Sequence, residues 1–135
     1  MAVNVAVAAS GSLVIVNTVV FVQSRLGLTE TDTALALAAF GGGSMLAALL
    51  LPNLLEKVSD RTGMLAGAAV LTAGALAAAA IQAYAVLLLV WFVLGLGFSL
   101  AQTPTGRLLR RSSHEEDRPS LFSAQFALSH AAWLF

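Results

Sequence analysis

Amides, hydroxyls and a histidine punctuate stretches of this chain that otherwise carry few polar side chains. Ser10, Asn17 and Ser24 recur every seven residues, with Thr18 beside Asn17; Gln102 adjoins Thr103; Ser123 and His130 are again seven apart, and Gln125 and Ser129 form a second polar edge. Seven residues is close to two helical turns, so each set shares a helix face. Hydrocarbon cannot satisfy such groups, which must therefore meet another helix or a wet cavity. The chemistry they offer is neutral hydrogen bonding to a small solute. Asn17, Gln102, Gln125 and His130 are the candidate contacts. His130 adds an imidazole, a group suited to taking up and releasing a proton. A structural reading competes for the same residues: hydrogen bonds between helices or, for His130, a place at a lipid interface.

Other chemistry is missing. Paired carboxylates on one apolar face, which general acid–base hydrolysis would need, do not occur. His114 and His130 lie sixteen residues apart with no Asp or Glu at ligand spacing, so no metal site is expected. Gly-X-Ser-X-Gly and the phosphate-binding Gly-rich lysine loop are absent. Gly95-Leu96-Gly97-Phe98 lies within an apolar stretch rather than after a soluble strand, which argues against nucleotide binding. The chain has no cysteine, excluding disulfides, thiolate metal ligands and cysteine nucleophiles. Seven basic and seven acidic residues provide no basic face for nucleic acid. Neither an enzyme nor a cofactor is expected.

The elements that would position the polar residues are five apolar stretches, Val3–Val22, Ala34–Leu54, Met64–Gln82, Ala83–Thr105 and Pro119–Phe135, none with an interior charge. About 20 helical residues cross the ~30 Å hydrocarbon layer. A soluble helix would instead show a charged stripe. Hydrophobic residues make up 59% and charged residues 10%, far from the roughly 25% charge of soluble domains. The expectation is an all-α membrane protein: one transmembrane domain over residues 1–135, with five transmembrane helices. With no basic residue before Arg25, the first stretch reads as a retained span rather than a secretory signal.

Charge falls in alternate gaps. Lys57, Arg61, Arg107, Arg110, Arg111 and Arg118 occupy two of them, against Arg25 alone on the other side. Basic loops stay cytoplasmic, which places the N-terminus inside and Phe135 outside. Thr29 and Asp32 have capping-box spacing, and Asp117 before Pro119 suits a helix start. Ala39, Gly43 and Ala47, and Gly63, Gly67, Gly74 and Ala78, form small-residue stripes that let helices approach. Pro52 and Pro104 are expected to kink their helices or end them early, with Thr103 and Thr105 able to satisfy freed carbonyls.

The gap containing Ser59-Asp60-Arg61-Thr62-Gly63 resembles the cytoplasmic loop signature of the major facilitator superfamily of secondary transporters. Asp60, Arg61 and Gly63 match its centre, while Glu56 and Met64 replace a glycine and a basic residue. The Asn17-Thr18-Val19-Val20 and Ala38-Ala39-Phe40-Gly41-Gly42-Gly43-Ser44 stretches and Gly95-Leu96-Gly97-Phe98 look like the seventh, eighth and tenth spans of bacterial members. The segment from Arg107 to Pro119 is similar to the connection into the eleventh. The resemblance implies five spans of one six-helix half, the C-terminal one, in a bacterial inner membrane.

It further implies secondary active transport of a small solute held between two halves, as in a permease or exporter, with lipid and the N-terminal half as partners. Asp60 would act as a latch, its carboxylate meeting a neighbouring helix N-terminus and nearby arginines. The chain stops at Phe135 inside an apolar run without a polar flank, which is expected of a fragment or truncated reading frame. Two alternatives stand beside transport: a non-transporting membrane assembly module and an inactive remnant.

Overall fold

The structure, a computed structural model, describes residues 2–55 and 58–131. Helix α1 (Ala2–Val19) continues into a π-helical segment, Val20–Arg25. There the Leu26 amide reaches back to the Phe21 carbonyl at 3.1 Å. Gly27 then takes φ 66°, a left-handed conformation open to glycine at little steric cost, and the chain reverses. Helix α2 (Glu30–Leu55) opens with the expected cap. The Thr29 amide donates to Asp32 Oδ2 at 2.9 Å, and the Asp32 amide reaches Thr29 Oγ1 at 3.4 Å.

Helix α3 (Asp60–Ala78) starts inside the charged gap, four residues before the apolar stretch that announced it. Ser59 sets that start, its hydroxyl accepting from the Thr62 amide at 3.2 Å. Helix α4 (Tyr84–Arg111) runs through Pro104 and does not stop there. The Thr105 hydroxyl, 3.5 Å from the Ala101 carbonyl, bonds beside the break in the ladder. Pro52 likewise lies inside α2, three residues before its end. A short 3₁₀ turn (Glu115–Asp117) leads into α5 (Arg118–Ala131).

Four segments are long and apolar enough to cross a membrane: Val3–Arg25, Glu30–Asn53, Asp60–Ala78 and Tyr84–Arg111. The expectation of five is corrected to four among the described residues. Helix α5 has 14 described residues, about 21 Å of helix, short of the hydrocarbon thickness. Its serines, Gln125 and His130 also dilute its apolar character. The last part of that stretch, 132–135, lies outside the described residues, as do Glu56 and Lys57 of the loop.

Helix α4 is the hub. It packs along both α2 and α3. A Cβ on Gly43 of α2 would strike the Phe92 carbonyl, and one on Gly95 of α4 would strike the Phe40 carbonyl. Backbone therefore meets backbone at this crossing, a contact that supplies dispersion where the hydrophobic effect between helices is weak. One turn on, Ser44 and Ser99 join their hydroxyls at 2.7 Å. On the other flank, Gly67 lies against Gly97 and Ala101, and Gly74 receives the Leu94 side chain. Gly63, Gly67, Gly74 and Ala78 are all buried, as their spacing foretold.

Trp91 fills the middle of the bundle with no exposed surface. Its indole N–H donates to Thr18 Oγ1 at 2.7 Å, and that hydroxyl donates to the Val14 carbonyl. Phe21 meets the indole edge-on, with ring centroids 5.6 Å apart. This arrangement ties α1 to α4 and satisfies the polar atoms of both side chains. At the end where α2 and α4 begin, Tyr84 donates to the Asp32 carbonyl at 2.8 Å and Gln23 donates to Thr33 at 3.2 Å.

Candidate functional site

Helices α1, α4 and α5 meet differently from the rest. Between them lies a cleft of about 690 Å³, lined by Gln102 and Thr105 of α4, Asn4 of α1, and Ser123, Gln125, Ser129 and His130 of α5, with Phe122 and Phe126 among them. No residue of α5 is buried. The one hydrogen bond that links it to α1 among the described residues is long, from Gln125 Nε2 to Asn4 Oδ1 at 3.5 Å.

Three of the four solute-contact candidates, Gln102, Gln125 and His130, therefore share one cleft. Asn17 does not join them. It is half-buried on α1, thirteen positions from Asn4, or about 20 Å along the helix. Asn4 and Thr105 also line the cleft, although neither is among the solute-contact candidates. Asn4 belongs to the same chemical class as Asn17, but its place at the start of an apolar stretch resembles an interfacial residue.

Several hydroxyls in the cleft already serve their own helix. Ser123 donates to the Pro119 carbonyl and Ser129 to the Phe126 carbonyl, each at 2.8 Å. The His130 Nδ1 lies 2.9 Å from the Phe126 carbonyl. A carbonyl only accepts, so Nδ1 carries the hydrogen, leaving Nε2 able to accept a hydrogen bond or a proton. The imidazole also leans over the Phe126 ring, with centroids 3.9 Å apart. The groups left without a partner in the cleft are the Gln102 amide, the Asn4 amide N–H, the free side of the Gln125 amide and the imidazole Nε2, beside two phenyl rings. The cleft is lined by no carboxylate, ammonium or guanidinium among the described residues.

A second cluster brings the loop-signature residues to α4. Asp60, 6% exposed, occupies the first turn of α3, where exposed amides favour negative charge. Arg107 Nε lies 3.6 Å from its Oδ1 and Arg111 Nη1 lies 3.4 Å from its Oδ2. The helix end that Asp60 meets is thus that of its own helix, and its arginine partners are on α4. Both arginines are solvent-accessible, so solvent screens the pairs from their side, while the buried Asp60 carboxylate depends on them for its charge partners. Gly63 is buried, with its amide bonded to the Ser59 carbonyl at 3.0 Å, and Arg61 is exposed. These contacts put the two arginine-bearing gaps at the same end of the bundle, as alternating crossings require.

Apolar crossing helices joined by backbone contact and satisfied polar pairs define a multi-pass, all-α membrane protein. A model of the Major Facilitator Superfamily matches residues 1–135, and the chain belongs to that family, whose members are transporters. No curated protein and no solved structure matches it.

Proposed function

We propose that the chain contributes the C-terminal half of a secondary active transporter for a small solute, in a bacterial inner membrane, with its N-terminus in the cytoplasm. The cleft carries this reading. Gln102, Gln125 and His130 line one open cleft that a solute could enter from the arginine-bearing end. Asn17, remote from that space, would meet solute at a different depth or serve packing alone. The basic gaps on one side support the orientation. Transport would require the complementary N-terminal half, the two halves rocking about a site near the bilayer midplane. Helix α5, held by few contacts, is the element freest to shift during such a cycle, while α2, α3 and α4 would move as one body.

His130 could couple the movement to protons through Nε2, and Asp60 could hold the inner side closed through Arg107 and Arg111. The test is solute accumulation in vesicles carrying the chain with its N-terminal half. Dissipating the proton gradient is expected to abolish accumulation. Accumulation that survives this treatment and depends on ATP would overturn the reading. In the same vesicles, Asp60→Asn is expected to lower the initial rate severalfold at unchanged membrane insertion. An unchanged rate would remove the latch.

A further inference from the structure

The cleft between α1, α4 and α5 has two unlike walls. On α5, Phe122, Phe126 and His130 follow one another at spacings of four, so their rings form a strip about 12 Å long up one helix edge. The imidazole leans 33° from the Phe126 ring, and Phe126 is 63% exposed, so that phenyl keeps an open surface beside it. The α4 wall is small. It includes Ala101 and Gly106, where an added Cβ would meet nothing within 4 Å. Rings on one helix and missing side chains on the other leave a slot suited to a flat, apolar body.

The polar groups narrow the choice of solute. Ser123 and Ser129 turn their hydroxyl hydrogens to carbonyls of their own helix. A polyol would therefore leave hydroxyls without partners against the rings and Ala101. Nε2 of His130 accepts, while the Gln102 and Gln125 amides both donate and accept, a set that matches one amide-like group. With no charged lining residue among those described, an ion entering the cleft would shed water without meeting a counter-charge. Cation–π attraction to phenyl is too weak at an exposed site to offset that loss.

We infer that the cleft takes an uncharged, flat aromatic solute bearing an N–H donor. The ring lies against Phe122 and Phe126, and the N–H meets Nε2 of His130. This assignment deepens the proposed function and rests on its placing of the solute in this cleft.

The test uses the full chain in detergent, isotopically labelled at the ring nitrogens of its two histidines, at about pH 8, where an ordinary imidazole is neutral. Naphthamide, naphthoate and naphthamidinium share one shape and differ in charge. Naphthamide is expected to move the His130 Nε2 resonance saturably, in the direction of hydrogen-bond acceptance, and to leave the exposed His114 unmoved. Its N,N-dimethyl derivative, which lacks the donor, should not produce that shift. Partition into the micelle is common to all variants of the chain, so the variants carry the decision. Gly106→Leu should weaken naphthamide binding roughly tenfold at unchanged helical content, because it fills the slot without striking a neighbour. Gln125→Glu, on a helix with no buried residue, should strengthen naphthamidinium binding about tenfold by supplying the missing counter-charge.

Stronger binding of either ion than of naphthamide by the unaltered chain would overturn the assignment. So would a Gly106→Leu chain that binds naphthamide as before, or an equal Nε2 shift from the dimethyl derivative. Binding is read at equilibrium without a gradient, so the two readings fail separately. Naphthamide held at His130 with no accumulation in vesicles supports the assignment and strikes transport. Accumulation of solute by a chain whose cleft ignores naphthamide does the reverse.

Discussion

The two sides of α4 are built on opposite principles. Toward α2 and α3, glycines remove side chains so that backbones touch, and the remaining hydroxyls pair with each other. Toward α5, amides and an imidazole remain around an open cleft, and the one hydrogen bond from α5 to α1 among the described residues is long, at 3.5 Å. One face is thus a close backbone joint and the other borders an open cleft. The difference shows how one helix can act as both frame and wall. Small residues matter where they are confronted by backbone, and polar residues matter where they are left without close partners.

The sharpest way to break this contrast is to add one methyl group. Gly43→Ala should cost about 2–3 kcal/mol of stability, because its Cβ meets the Phe92 carbonyl rather than a movable side chain. Gly41→Ala, two residues away with nothing within 4 Å, should instead stabilise by about 0.5 kcal/mol through helix propensity. Unfolding followed by helical content in detergent distinguishes the signs. If both substitutions stabilise, the α2–α4 joint is looser than the structure shows.

Next in size is Trp91→Phe. Losing the indole donor leaves Thr18 without its partner and opens space beside Phe21, a cost of about 1–2 kcal/mol in the same unfolding measurement. A neutral result would mean that Thr18, already bonded to the Val14 carbonyl, needs nothing further. This pair also marks the limit of what could be read from the chain beforehand. Thr18 was visible as a polar residue in an apolar stretch, but its partner is 73 residues away, and sequence spacing carries no information across helices.

Spacing within a helix, by contrast, was informative. The stripe of Gly63, Gly67, Gly74 and Ala78, the Thr29–Asp32 cap and the membrane-crossing character of α1 to α4 all follow from local rules. Helix ends were harder. Ser59 started α3 inside a loop that charge alone marked as a gap, and α4 continued through Pro104 because its packed neighbours and the bond from Thr105 outweigh one lost backbone donor. The shortlist of polar residues was partly spatial by accident. Gln102, Gln125 and His130 converge because α4 and α5 are consecutive and antiparallel, whereas Asn17 lies too far along α1 to join them.

The smallest expected effect on stability belongs to the cleft. Gln125 reaches Asn4 at 3.5 Å across a helix pair with no buried α5 residue, so Gln125→Ala should change unfolding by less than about 0.5 kcal/mol. If the proposed function holds, its effect should appear in solute flux through the assembled transporter, where the lost amide would remove a hydrogen bond to the solute. Reduced flux with unchanged unfolding would separate the two faces of α4 by function as well as by packing. Unchanged flux with reduced stability would instead make Gln125 a tether for α5, and the cleft would then be a gap between helices rather than a route through them.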